Sequence, residues 1–106
     1  MEIFHLDEMV KGWFVGDFAP AALRTGAAEV AVKRYKAGDQ EPAHFHKVAT
    51  EITLVLDGAV EMCGRRLNNG DIIKLLPGEV TSFTAITDAI TVVVKHPSAI
   101  DDKYPA

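Results

Sequence analysis

The 106-residue sequence lacks a pair of cysteines, a long apolar run and an excess of positive charge. Its single cysteine, Cys63, cannot form a disulfide within the chain, which is typical of proteins from a reducing cytoplasm. No stretch approaches the ~20 apolar residues of a membrane-spanning helix. The acidic N-terminus also lacks the basic-then-apolar layout of a signal peptide. We therefore expect a cytoplasmic protein with no membrane partner.

The charge balance argues against nucleic acid as the main partner. Eleven basic and 15 acidic residues give a net charge of −4, whereas nucleic-acid-binding domains usually carry a basic surface. The 48% hydrophobic and 25% charged fractions are those of an ordinary globular protein. A chain of this length corresponds to one domain. We expect a single domain over residues 1–106, with an N-terminal arm at about 1–22 and a C-terminal tail at about 96–106.

A helical hydrophobic period is also missing, and short strand-like segments take its place. Residues 28–37 alternate, with Val30 and Val32 on one face and Lys33 and Tyr35 on the other. Later segments are separated by dipeptides that are typical of tight hairpin turns. These dipeptides are Asp57-Gly58, Asn69-Gly70 and Thr87-Asp88. We expect seven to ten short strands in an all-β sandwich or closed barrel.

The candidate functional residues lie within residues 38–58. His44 and His46 are two positions apart, so both project from the same face of an extended strand. Glu51 follows His46 at an odd offset and would point away on an unbroken strand. We expect the chain to reverse in a hairpin through residues 47–50 and to return Glu51 to the histidines. Two imidazoles and a carboxylate suit iron, manganese, nickel or zinc.

The spacing of this segment resembles the first sequence motif of the cupins, and every fixed position of that motif is filled. The fixed positions in chain order are Gly38, His44, His46, Glu51 and Gly58. The resemblance implies a small jelly-roll β-barrel, also called a double-stranded β-helix, with the site inside one end. It implies a divalent metal ion (Fe, Mn, Ni or Zn) held by the two histidines and the glutamate. It also implies a homodimer.

A second cupin motif is only partly present downstream. Gly70, Asp71 and Gly78 match it, but the proline is shifted by one position, and Thr81 stands where the last metal-binding histidine is usual. A hydroxyl is a poorer ligand than an imidazole. Three readings stay open: three ligands hold the metal alone, Glu79 reaches in near the fourth position, or the metal has been lost and the pocket binds a small molecule.

Two functions are compatible with this resemblance. The first is a metal-dependent enzyme, a dioxygenase or an isomerase, that acts on a small polar molecule, with Glu79 and Tyr35 as candidate catalytic groups. The second is a non-catalytic cupin without metal that binds a small, sugar-like ligand, and Thr81 in place of histidine favours it. A third reading makes the barrel a dimer-forming scaffold.

Apolar residues near the motifs are expected to pack inside. Met62, Leu54 and Leu56 are predicted to line the core or the pocket. Trp13 and the phenylalanines that follow it are expected to cap one end of the core, or to pack on a second subunit, rather than to stack on a ligand.

Overall fold

A computed structural model describes all residues, 1–106, as eleven β-strands and two short 3-10 helices. The helices span Leu6–Glu8 and Val10–Gly12. Neither helix is long and apolar enough to cross a membrane. The strands, numbered in chain order, are β1 (Trp13–Gly16), β2 (Leu23–Arg24), β3 (Glu29–Tyr35), β4 (Gln40–Phe45), β5 (Thr50–Asp57), β6 (Val60–Met62), β7 (Arg65–Leu67), β8 (Ile72–Leu75), β9 (Thr81–Ala85), β10 (Ala89–His96) and β11 (Tyr104–Pro105).

The strands form two sheets that pack face to face. One sheet has six strands in the order β2-β1-β3-β10-β5-β8, and the other has five in the order β11-β4-β9-β6-β7. The sheets share no hydrogen-bonded strand pair, so the structure is a two-sheet jelly roll rather than a barrel of continuous hydrogen bonds. The prediction of an all-β jelly roll is confirmed.

Most consecutive strands lie in different sheets. The chain passes from the six-stranded to the five-stranded sheet at Asp57-Gly58, and it crosses back at Asn69-Gly70. It crosses again at Thr87-Asp88, so the hairpins predicted at all three turns are wrong. The one consecutive antiparallel pair is β6 with β7. Its turn residues, Cys63 and Gly64, have φ values of 55° and 74°, as the tight turns of two-residue hairpins require.

The space between the sheets is apolar at one end and polar at the other. Strand β5 shows the change, because its inward residues are Glu51, Thr53 and Val55 in that order. The polar end contains the candidate site. The apolar end contains the hydrophobic core, which consists of Val55, Val60, Met62, Leu75, Phe83, Ala85 and Ala89.

The outer face of β5 carries residues that were expected inside. Leu54 is half-buried and Leu56 is 54% exposed. The prediction that they line the core or pocket is wrong, because side chains alternate along a strand and the Glu51–Thr53–Val55 face is the inner one. Met62 is buried in the core, as predicted.

Both terminal segments are built into the sheets. The N-terminal segment contributes β1, which pairs with β3 in the six-stranded sheet. The C-terminal segment contributes β11, which pairs with β4 through Tyr104 opposite Phe45. The rings of these two residues stack with centroids 5.5 Å apart, and Asp102 just before them is buried. The C-terminal segment is therefore part of the structure around the site.

Candidate functional site

The three residues predicted to bind metal lie together at the polar end of the sandwich. Nε2 of His46 is 3.4 Å from Oε1 of Glu51. The rings of His44 and His46 meet edge to face, with centroids 5.2 Å apart. All three side chains are buried. The spacing in the sequence therefore identified residues that the fold does bring together.

The route by which Glu51 reaches the histidines differs from the prediction. A hairpin through residues 47–50 is wrong, because β4 and β5 are not paired and belong to opposite sheets. His44 lies near the end of β4, and Glu51 lies at the start of β5. Glu51 thus approaches the histidines from the facing sheet, and the odd offset from His46 no longer matters.

Each histidine ring is oriented by a backbone carbonyl. Nδ1 of His44 donates to the carbonyl oxygen of Pro42 at 3.0 Å, and Nδ1 of His46 donates to the carbonyl oxygen of Asp102. A carbonyl oxygen only accepts, so the proton of each neutral ring resides on Nδ1. Each Nε2 then carries a free lone pair. This arrangement of the second ring nitrogen is the usual one for metal-binding histidines.

Charge and burial shift the pKa values of the two histidines in opposite directions. Burial lowers the pKa of His44, which keeps its ring neutral at pH 7. The carboxylate of Glu51 raises the pKa of His46 above its ordinary value. Burial alone would raise the pKa of Glu51, but His46 and the charge of Lys95 bring it below its ordinary value. The pair is thus arranged to share a cation, whether a proton on His46 or a metal ion.

Thr81 lies beside His44 on the neighbouring strand. The two residues are directly opposed in the β4–β9 register, so their side chains lie on the same face of the sheet. Oγ1 of Thr81 and Nε2 of His46 are both buried and lack a hydrogen-bond partner. Leaving a buried polar atom unpaired costs about 1–3 kcal/mol. Both atoms are therefore open to pairing with a water molecule, an ion or a ligand.

The donor set suits a divalent transition metal. Two imidazole nitrogens and a carboxylate oxygen are its common ligands, at ~2.0–2.2 Å. The 3.4 Å between His46 and Glu51 is long for a hydrogen bond but short enough for both atoms to contact one ion. As the side chains stand, however, no group of three or more His, Cys, Asp or Glu residues is arranged to hold a metal ion.

The two candidate catalytic residues are placed differently. Glu79 is exposed in the turn before β9, where its Oε1 accepts from the backbone N–H of Leu76 at 3.0 Å, and it does not line the cavity. Tyr35 does line the cavity, and its hydroxyl donates to Oε1 of Glu41 at 2.8 Å. Burial, together with the charge of Glu41, raises the pKa of Tyr35 far above its ordinary value. Tyr35 therefore stays protonated.

A cavity of about 370 Å³ opens beside His44, Glu51 and Thr81. Trp13 lines this cavity, although it was expected to cap one end of the core or to pack on a second subunit. Four lysines line it as well, and none was singled out from the sequence. These lysines are Lys11, Lys33, Lys95 and Lys103. The only available signal was the alternation of β3, which placed Lys33 and Tyr35 on one face.

Asp102 is the other site residue that the sequence did not reveal. Its carboxylate accepts backbone N–H groups from Lys47 at 2.8 Å, Val48 at 3.0 Å and Ala49 at 2.9 Å. These three residues and Thr50 form the segment that joins His46 to Glu51. One carboxylate therefore fixes the connection between the two sheets at the site.

Comparison with known proteins shows what the fold resembles. No protein-family model matches the sequence, and no curated protein sequence matches it either. Solved structures do match. A protein with a double-stranded β-helix domain from Klebsiella pneumoniae superposes with a TM-score of 0.68 at 25% identity, over 91% of this chain and 84% of that one. KdgF from Halomonas sp. superposes with a TM-score of 0.66 at 24% identity, over 73% and 74%.

A third match is an enzyme with a described metal. Oxalate decarboxylase from Bacillus subtilis, which has Mn(II) centres, superposes with a TM-score of 0.65 at 18% identity. The match spans 76% of this chain and 24% of that protein. Identities this low establish the fold alone. The chain has the double-stranded β-helix fold of a small cupin domain, as its two sequence motifs predicted.

Proposed function

We propose that this cupin domain binds one divalent metal ion (Fe, Mn, Ni or Zn) through His44, His46 and Glu51, and that it binds or transforms a small polar molecule in the adjoining cavity. The observation that supports this proposal best is the buried Nε2 of His46. It has no hydrogen-bond partner, and it faces a carboxylate 3.4 Å away while Nδ1 is already engaged. In a neutral ring so placed, the lone pair of Nε2 faces a carboxylate, and a cation between them would relieve this repulsion.

The metal and the protein groups have separate roles. A bound divalent ion supplies Lewis-acid or redox chemistry to a coordinated small molecule, as dioxygenation or isomerisation requires. Tyr35 keeps its proton on the hydrogen bond to Glu41, and its hydroxyl oxygen can accept a hydrogen bond from a molecule in the cavity. Thr53 donates to Oε2 of Glu51 at 3.2 Å, which leaves Oε1 free for the ion. Thr81 offers a weak fourth donor in place of a histidine.

Elemental analysis of protein purified without an affinity tag tests the proposal. We expect near-stoichiometric divalent metal in the native protein and little in His44→Ala and His46→Ala. His5→Ala is the matched control, because His5 is exposed near the N-terminus and should not affect metal content. If the two site variants keep the metal content of the His5→Ala control, the assignment is wrong.

The alternative is a non-catalytic cupin that binds a sugar-like molecule without metal. The ion pair between His46 and Glu51 favours it, because a proton on His46 satisfies the same carboxylate, and no three-residue metal cluster is formed. This alternative predicts no metal above background in the native protein. It also predicts ligand binding that a chelator leaves unchanged.

A further inference from the structure

Lysines are enriched at the candidate site. The chain has seven lysines, and four of them line the one cavity beside His44 and Glu51. They come from separate parts of the chain: Lys11 precedes β1, Lys33 lies in β3, Lys95 lies in β10 and Lys103 precedes β11. The fold itself, rather than a local run of basic residues, brings them together.

The positive charge of this cavity is not balanced by the protein. The lining holds four ammonium groups and only two carboxylates, Glu41 and Glu51, although the whole chain has a net charge of −4. The ion pairs of the protein are His5–Asp7, Arg24–Asp17 and His46–Glu51, and none includes a lysine. A divalent metal at the histidines would add to this excess.

The lysines are close enough to affect one another. Burial lowers the pKa of Lys33, and the charges of Lys11, Lys95 and Lys103 lower it further, while Glu41 opposes them. Like charges that repel across a partly buried cavity destabilise the fold. An anion in the cavity would remove this cost.

Trp13 holds two of the lysines at fixed positions. The ammonium groups of Lys33 and Lys95 are each 5.0 Å from the centre of its ring, where a cation–π contact contributes roughly 0.5–1 kcal/mol. Trp13 is paired with Ala31, and Ala31 is paired with Val93. Lys33 and Lys95 follow Ala31 and Val93 by two positions on antiparallel strands, so they flank the indole on opposite sides.

We propose that the cavity binds a small organic anion, whose carboxylate or phosphate group is held by Lys33 and Lys95 around Trp13 and whose other end extends toward His44. Ammonium groups bind both kinds of anion. A volume of about 370 Å³ is near the lower limit for ligand pockets, so the ligand is small. This anion site specifies the ligand of the proposed function. Only the presence of a metal ion beside the anion rests on that function.

Fluorescence of Trp13 gives a direct test, because it is the only tryptophan in the chain. Metal is first removed with EDTA, and the EDTA is removed by dialysis. The protein is then titrated with malonate and with inorganic phosphate at constant ionic strength, and malonamide is the neutral control. We expect a saturable change with one or both anions and none with malonamide. Tighter malonate binding identifies a carboxylate, and tighter phosphate binding identifies a phosphate ester.

Two variants show whether these lysines are responsible. Lys33→Met and Lys95→Met should each weaken anion binding by about tenfold or more, since each removes a contact to a charged group. Lys74→Met is the matched control. It removes the same charge from the exposed side of β8 and should stay within about twofold of the native protein, because distant exposed charges are screened. If Lys33→Met does not fold, Lys33→Arg should fold and keep binding, and Lys95→Met decides the matter.

Three results would overturn the proposal: no saturable response to either anion, an equal response to malonamide, or equal weakening in Lys74→Met and Lys95→Met. These titrations use metal-free protein, so they are independent of the metal assignment. Anion binding without metal in the elemental analysis would reject the metal site and keep this one. Metal in the elemental analysis without anion binding would keep the metal site and reject the anion site.

Discussion

His46 and Asp102 are 56 positions apart in the sequence and are joined by a buried hydrogen bond at the candidate site. The backbone carbonyl of Asp102 orients the ring of His46, and its carboxylate accepts the N–H groups of Lys47, Val48 and Ala49. Asp102 thus positions both the ring and the segment that leads to Glu51. It is a positioning residue, since it would act on a bound metal only through His46 and Glu51, the proposed ligands.

Replacing Asp102 should weaken metal binding without abolishing the fold. In Asp102→Asn the amide group cannot accept all three backbone N–H groups, so the segment from His46 to Glu51 loosens. We expect metal affinity to fall by about 10–100-fold, as for other residues that orient ligands. Competition with a chromophoric chelator measures this. Asp101→Asn is the control, because Asp101 is exposed and its φ of 61° suits asparagine. Equal affinity in both variants would contradict the role of Asp102.

Asp102 should also make the free energy of unfolding depend on pH. Burial alone would raise its pKa, but hydrogen bonds from Ala49, Lys47 and Val48 outweigh burial and lower the pKa. A lowered folded-state pKa contributes stability above the unfolded-state value of about 3.9, and this is lost as the pH falls through the folded-state pKa. In metal-free protein, Asp102→Asn should reduce the free energy of unfolding by about 1–3 kcal/mol at neutral pH. The difference between the two proteins should shrink below about pH 4. Urea unfolding across pH measures it, and a constant difference would refute this account.

Thr81 offers a gain-of-function test. It lies opposite His44 in the β4–β9 register, so an imidazole at this position would face the same cavity. Thr81→His should raise metal affinity by at least roughly tenfold, because imidazole is a far better ligand than a hydroxyl. Ser82→His places the same side chain at the next, exposed position and should change nothing. Equal affinities for the two variants in the chelator competition would place Thr81 outside the metal's reach.

Gly58, which ends the first motif, should tolerate substitution poorly because a side chain there would clash with the neighbouring backbone. Gly58 has a φ of +91°, and a Cβ there would lie 2.2 Å from the carbonyl oxygen of Asp88. Gly70 has a φ of +87° but open space around it. Gly70→Ala should cost about 1 kcal/mol for backbone strain. Gly58→Ala should cost about 1–3 kcal/mol more for the clash. Denaturant unfolding compares them, and equal costs would show that only φ matters at Gly58.

The outer face of the six-stranded sheet supports the expected homodimer, which we propose forms there. Val32, Val92, Leu54 and Ile72 form one continuous row across β3, β10, β5 and β8, and Ile72 is 65% exposed. Contiguous apolar surface of this kind marks protein interfaces. Sedimentation should show a dimer for the native chain and a monomer for Ile72→Lys. Ile100→Lys, at a residue 61% exposed elsewhere, should remain dimeric. A monomeric native protein, or a dimeric Ile72→Lys, would exclude this interface.

The sequence predicted the fold class and the three converging residues because both depend on local patterns. Short alternating segments between turn residues indicate an all-β chain, and the spacing of His44, His46 and Glu51 matches a family motif. The metal role of these residues stays a prediction. Pairing of strands was not predictable, because a turn such as Asp57-Gly58 looks the same whether the next strand joins the same sheet or the facing one.

The faces of the strands were predictable only in part. On β3, hydrophobicity alone favours Val30 and Val32 as the inner residues, yet Lys33 and Tyr35 face the cavity. On β5, Leu54 and Leu56 likewise lie on the outer face, while Glu51 and Thr53 lie on the inner one. The inner face is polar where it forms a site, so hydrophobic alternation gives the opposite answer there. Asp102 gave no signal because its partners are far away in sequence.

His44 and Glu51 are near neighbours in the sequence but belong to opposite sheets. A synthetic peptide spanning the first motif would carry every proposed donor and still lack the framework that turns them toward one another. Chelation should therefore appear only after both layers have assembled, late in folding. A bound ion would then stabilise the whole fold rather than one segment. Thermal denaturation should release it in a single cooperative step.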